Sequence, residues 1–239
     1  MRLRPALILS AAFACALLHE ADGQDKKKPT EPKVWMCLKG APLWVEPFKG
    51  PDFPKEWHKG KGTWVLETGS IKGAEIAADK HNTYMSRPIT SPNVVIQFSF
   101  KIEGAPWVGI SVNGKEHVAH VSFAADAFKL NKVTGIGPTT KHTTVDQTKV
   151  KLNDDAWHTV VWEIYGDEMV ATVDDQVTAL AKADGLSADR TSVELNNGGQ
   201  WAHFKDIKVW KAEPDPRWPK KRAALIETLM KDPATLGYK

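Results

Sequence analysis

Between Asp155 and Val173 the chain writes a two-residue period twice over. Val160, Trp162 and Ile164 share one parity, with His158 near the start, while Thr159 and Glu163 take the other. After Gly166-Asp167 the period resumes, with Met169, Ala171 and Val173 apolar and Glu168, Thr172 and Asp174 polar. Alternation of this kind belongs to a sheet with one face on a core and one face in water. The segment therefore predicts a hairpin turning at Gly166-Asp167.

The same period recurs along the chain. Val94–Glu103 is the clearest strand, with Val94, Ile96, Phe98, Phe100 and Ile102 opposite Gln97, Ser99, Lys101 and Glu103. Trp107–Val112 and His117–Phe123 flank Asn113-Gly114, a dipeptide whose members both tolerate positive φ and so suit a hairpin. Thr63–Glu67, Asn82–Arg87, Ala127–Leu130, Gln176–Leu180, Thr191–Asn196 and Trp201–Trp210 add further strands. In the last, a bulge near Lys205-Asp206 brings Phe204 onto the face of Ile207 and Val209. Val133–Thr148, polar and carrying Gly135, Gly137 and Pro138, reads as a mobile loop over one face. The Ala- and Asp-rich stretch between Leu180 and Thr191 has room for one helical turn. About ten to thirteen short strands with turns every ~8–12 residues mean an all-β sandwich or barrel. Pro219–Lys231 reads as a helix, with Pro219 in its first turn, an apolar stripe of Ala223, Leu225, Ile226 and Leu229, and Pro233 beyond. It is expected to pack on the outside of the sandwich or on a protein partner.

The organisation follows. Residues 1–23 have the charge, apolar run and small-residue ending of a secretory signal peptide: Arg2 and Arg4, then Ala6–Leu18, then Ala21 and Gly23. That apolar run is too short to span a bilayer comfortably. Lipoprotein anchoring at Cys15 is the lesser alternative, since Ala12-Phe13-Ala14 lacks the expected Leu three residues before the cysteine. The expected location is secreted or periplasmic. Residues 24–56 form a leader and opening strand, 57–211 the main domain and 212–239 a helical tail. Removal of Cys15 leaves Cys37, in the apolar run Val34–Leu38, as a buried small hydrophobe. A net charge of +3, with basic residues spread out, excludes a broad basic face and with it nucleic-acid binding.

The run Trp157-His158-Thr159 … Gly166-Asp167 … Val173-Asp174-Asp175-Gln176 resembles the signature of concanavalin A-like lectin/glucanase jelly rolls. Ser192-Val193-Glu194-Leu195-Asn196 … Gly199 … Phe204–Trp210 resembles the closing strands of the 3-keto-disaccharide hydrolase domain and laminin G-like families. The resemblance spans roughly Trp57–Lys211. It implies two antiparallel sheets in a jelly-roll sandwich, here with a short C-terminal helix. It also implies a carbohydrate or cell-envelope glycan as partner. The chain departs from the hydrolase family at Trp107-Val108-Gly109-Ile110, and it lacks the Glu-x-Asp-x-x-Glu strand of the laminarinase-type enzymes. The leading reading is a secreted, non-catalytic glycan-binding or interaction module. The alternatives are a 3-keto-glycoside hydrolase or lyase, and a structural envelope or extracellular-assembly domain.

No catalytic residue is assigned by sequence. A sugar site needs aromatic faces beside planar polar groups, and six residues on the expected strands and turns qualify: Trp107, Asn113, His117, His120, Asn197 and Trp201. His117 and His120 have opposite parity and share a face only across a bulge, though with His158 and His203 they have the chemistry to gather in space. By the laminin G-like resemblance, the acidic pairs Asp154-Asp155 and Asp174-Asp175 are candidates for Ca²⁺.

Overall fold

Alternating segments become strands where their apolar side finds a second sheet to bury against. The computed structural model describes residues 31–152 and 155–232. The signal segment, Cys15 and Asp154 lie outside the described residues. In chain order the strands are β1 (Cys37–Glu46), β2 (His58–Lys61), β3 (Thr63–Glu67), β4 (Ser70–Ala74), β5 (Thr83–Pro88), β6 (Val94–Glu103), β7 (Val108–Asn113) and β8 (His117–Ala124). They continue with β9 (Ala127–Thr134), β10 (Lys141–Lys149), β11 (His158–Tyr165), β12 (Glu168–Val173), β13 (Val177–Lys182), β14 (Ser192–Asn197) and β15 (Trp201–Pro214), before helix α1 (Trp218–Lys231).

Two antiparallel sheets face each other, as the alternation predicts. The larger runs β13-β12-β11-β6-β15-β4-β3, with β1 also paired to β15; the smaller runs β10-β9-β8-β7-β14-β5-β2. Ile96, Phe98, Phe100, Val160 and Trp162 of the larger sheet meet Ile110, Val121, Phe123, Phe128 and Leu195 of the smaller in one core. Phe100 and Phe123 stack across it with centroids 4.7 Å apart. The bulge expected in β15 is present: the register shifts between Lys205 and Lys208, and Asp206 has φ 52°. It lets Phe204 and Ile207 both reach the core, and it divides β15 so that its first half pairs with β4 and its second with β1.

The larger sheet carries a second apolar layer on its back. Val95, Val161, Val170 and Leu180 point away from the main core and are covered by Met36, Cys37, Leu225 and Leu229. Helix α1 thus seats its stripe within its own chain, with Leu225 and Leu229 buried, Ile226 half-buried and Ala223 exposed. Glu163 holds the covering segment in place. Its carboxylate accepts the backbone N–H groups of Trp35, Met36 and Cys37, each at 2.7 Å. Burial pushes that carboxyl up, against the pull of the three amides and Lys221. Cys37 is fully buried and its thiol is pushed far up, first by burial and then by Glu163, so it is the inert small hydrophobe expected.

Three local expectations are corrected. Val133–Thr148 is not a loop: it supplies the end of β9, a turn at Gly137–Thr139, and β10, which pairs with β9 from Lys141↔Thr134 to Lys149↔Ala127. Lys141, His142, Thr143 and Thr144 are all exposed, so no apolar alternation marks this edge strand. The turn after β7 does not use positive φ at Asn113 or Gly114, because Asn113 pairs directly with His117 across a three-residue loop. The stretch between β13 and β14 forms turns without a helix.

Candidate functional site

Because apolar residues of the smaller sheet point to the core, their neighbours line its outer face. Six consecutive strands, β10, β9, β8, β7, β14 and β5, contribute there. The result is a groove of about 1270 Å³. Its floor is set by Glu194 and Asn196 of β14, Ser111 of β7, and His120 and Ser122 of β8. Asn131, His142 and Thr144 come from β9 and β10, while Trp107, His81 and Tyr84 stand around the opposite end.

His117 reaches this face through a register shift. Val112 pairs with Ala119 but Asn113 pairs with His117, so one residue of β8, Val118, opposes none of β7 at that point. The extra residue is the bulge required for His117 and His120 to share a face. Glycines then allow two rings to lie close against the backbone. A Cβ on Gly109 would stand 2.4 Å from His120 Nε2, and one on Gly198 would stand 2.4 Å from Trp107 Nε1.

The floor is one hydrogen-bonded network. Asn196 Nδ2 donates to Ser111 Oγ at 2.8 Å and to Glu194 Oε1 at 3.3 Å, while its Oδ1 lies 3.0 Å from His120 Nε2. Asn113 Nδ2 donates to Glu194 Oε2 at 3.3 Å, and its Oδ1 lies 2.9 Å from His117 Nδ1. Asn131 donates to His120 O and Ser122 Oγ and accepts from Thr144 Oγ1 at 2.9 Å. An amide oxygen only accepts, so His120 must carry its proton on Nε2 and His117 on Nδ1. His120 also stands edge-on between Trp107 and His142, with centroids 5.6 Å from each.

The electrostatics follow from burial. His120 is pushed down to about 3, by burial first and by the neighbouring His142 second. His117 is lowered by burial, then by His142 and His81; His142 is lowered by burial. These three imidazoles are neutral at pH 7. Glu194 moves the other way, up to about 7, because burial outweighs the Asn196 amide and His81. The floor therefore presents a carboxyl poised between its two forms, set among neutral planar acceptors and donors.

The structure separates the six sequence candidates. Trp107, His117 and His120 line the groove, and Asn113 is hydrogen-bonded into its floor. Asn197 is fully buried, its amide tied to Gly73 O and Gln200 O. Trp201 belongs to the larger sheet, where the Lys72 ammonium lies 5.1 Å from its ring. His158 and His203 do not join the others: both sit on the larger sheet, His158 2.7 Å from Asp174 and His203 clamped between Glu67 at 3.2 Å and Glu103 at 2.5 Å. Asp174 and Asp175 serve a tight turn with φ of 52° and 55°. The first accepts from Thr159 N and meets His158, and the second accepts from Lys33 N. No cluster of three or more His, Cys, Asp or Glu suited to a metal occurs among the described residues. Sequence reasoning missed Glu194, Asn196, His142, Asn131 and Tyr84 as site residues. For β14 the signal was available, because Glu194 and Asn196 alternate with apolar Val193 and Leu195.

No family model matches the chain, and no curated protein matches it. Solved structures do. A carbohydrate-binding module, CBM66 from Bacillus subtilis, superposes with TM-score 0.53 at 14% identity, over 65% of this chain and 96% of that one. A Bacillus subtilis protein of unknown function with a galectin-like fold gives 0.55 at 11% identity, over 75% and 100%. A Bacillus licheniformis β-glucanase gives 0.51 at 13% identity, over 73% and 100%. At these identities the likeness is one of fold: the chain has a concanavalin A-like jelly-roll fold, followed by helix α1.

Proposed function

We propose that the protein binds a glycan in the groove of its smaller sheet, as a non-catalytic module exported from the cytoplasm. One observation carries this reading. Five strands, β10, β9, β8, β7 and β14, present a cross-bonded carpet of amide, hydroxyl and neutral imidazole groups, with aromatic rings at its end. Planar polar groups grip sugar hydroxyls, and an aromatic face covers the apolar face of a pyranose. Likeness in fold to a carbohydrate-binding module and to a β-glucanase supports the ligand class. The charged, apolar and small-residue order of residues 1–23 supports export. Among the described residues no helix is long and apolar enough to cross a membrane.

Binding to a glycan array, with Trp107→Ala as control, tests the proposal. Retention of a sugar by the parent chain and its loss in the variant are expected. No retention, or retention indifferent to Trp107, argues for a structural envelope role instead.

A second reading, hydrolysis or elimination on 3-keto-glycosides, is favoured by Glu194, whose carboxyl at about 7 suits proton transfer near neutral pH. Release of reducing sugar from a 3-keto-glycoside, lost in Glu194→Gln, is the outcome that supports it.

A further inference from the structure

We propose that Glu194 sets the groove's specificity for neutral glycans, its two carboxylate oxygens accepting hydroxyl protons from a pair of neighbouring sugar hydroxyls. This rests on the groove being the glycan site. It goes beyond that reading by naming the ligand class and the residue that selects it.

The argument is an inventory of donors and acceptors. Each oxygen of Glu194 receives one long amide bond, from Asn196 Nδ2 on Oε1 and from Asn113 Nδ2 on Oε2, both at 3.3 Å. A carboxylate has about four acceptor sites, so each oxygen keeps acceptor capacity. The two amides also fix the carboxyl from both sides, since each is anchored at its far end by a histidine: Asn196 on His120, Asn113 on His117. With its proton held on Nδ1 by Asn113, His117 keeps its Nε2 lone pair. The centre of the floor is therefore rich in acceptors. Sugar hydroxyls supply the donors it lacks, and two adjacent hydroxyls match two adjacent carboxylate oxygens.

The charges facing Glu194 exclude acidic sugars by the same reasoning. Lys129 of β9 lines the groove, but it is exposed to solvent and its strand is the third from β14. His117, His120 and His142 are held neutral, His81 stands at the rim, and Glu75 adds a second carboxylate at the lining. A uronate or sulfate over the floor meets the Glu194 charge with no buried cation to pair it, and like charges without compensation are strongly disfavoured in a partly desolvated site.

The test is an array of neutral oligosaccharides, including gluco-, manno- and galacto-series, beside polygalacturonate, alginate and sulfated galactans. The full chain is compared with Glu194→Gln and Trp107→Ala, each first checked for a cooperative unfolding transition. The expected result is retention of neutral sugars only, lost in Trp107→Ala and weakened about tenfold or more in Glu194→Gln, as for removal of a charged acceptor. The affinity of the parent chain should also rise between pH 6 and pH 8 as Glu194 ionises, and that rise should vanish in Glu194→Gln. Preference for acidic glycans overturns the inference. So does equal affinity of the parent and Glu194→Gln at all pH values while Trp107→Ala is inactive, an outcome that leaves the groove itself as the site. Retention of no glycan, or binding indifferent to Trp107, removes the groove reading and this inference with it.

Discussion

The two sheets turn opposite faces on the solvent, and the contrast separates scaffold from site. The back of the larger sheet is apolar at Val95, Val161, Val170 and Leu180, and the chain covers it with its own N-terminal segment and α1. There the buried carboxylate of Glu163 is saturated by three backbone amides. The outer face of the smaller sheet is left open, and its partly buried carboxylate, Glu194, has only two long amide bonds. A saturated charge fastens structure; an unsaturated one waits for a ligand. The histidines repeat the lesson. His203 is held between two carboxylates on the larger sheet, whereas His120 stays neutral in the groove.

This contrast predicts effects of graded size. Leu229→Ala, on the covered face, opens a cavity beneath α1 and should cost about 2–5 kcal/mol in urea unfolding, with glycan retention unchanged. A loss of sugar binding in that variant would break the division between the faces.

Next in size is the pH dependence of stability from Glu194. Its folded-state value, near 7, lies above its ordinary 4.5. The folded chain thus holds that proton more tightly than the unfolded chain, so stability is fully present below about pH 4.5 and falls as pH rises to about 7. The loss should be about 2 kcal/mol, below what the full shift implies because the carboxyl is partly exposed. Unfolding of Glu194→Gln from pH 5 to pH 8 should show that fall removed. An unchanged slope would make Glu194 as well satisfied as a scaffold residue.

Trp107→Ala should abolish glycan retention while moving stability by less than about 1 kcal/mol, since Trp107 is half-buried at the groove rather than in the core. Titration calorimetry with thermal unfolding on one sample separates the two. The smallest expected effect is none: Cys37 should resist alkylation at pH 8 in the folded chain and react on unfolding. Reaction in the folded state would mean that the covering segment opens.

Much of the fold was legible because it is written in local periodicity. The hairpin from β11 to β12, the strand β6, the bulge at Lys205-Asp206 and helix α1 all appear where alternation, turn residues or an apolar stripe place them. The edge strand β10 was not legible, since Lys141–Thr144 is polar on both faces and is held by its ladder to β9. Half of the candidate site was read for a related reason. Trp107 and the β7–β8 histidines are chemically conspicuous, whereas Asn196 becomes a site residue only when β14 lies beside β7, with Asn196 and Ser111 85 residues apart in sequence.

The sequence by itself determined the class of fold, the helix at its end and the inertness of Cys37, because these depend on which residues alternate and which are apolar. Tertiary structure alone decided which outward face is covered and which is open. It also placed His117 beside His120 through a one-residue bulge, and it buried Asn197 while leaving Glu194 at the groove floor. The physical reason is that alternation fixes only whether a side chain points in or out. What an outward side chain meets, a covering helix or open solvent, depends on contacts between segments more than a hundred residues apart, such as Glu163 with Trp35–Cys37.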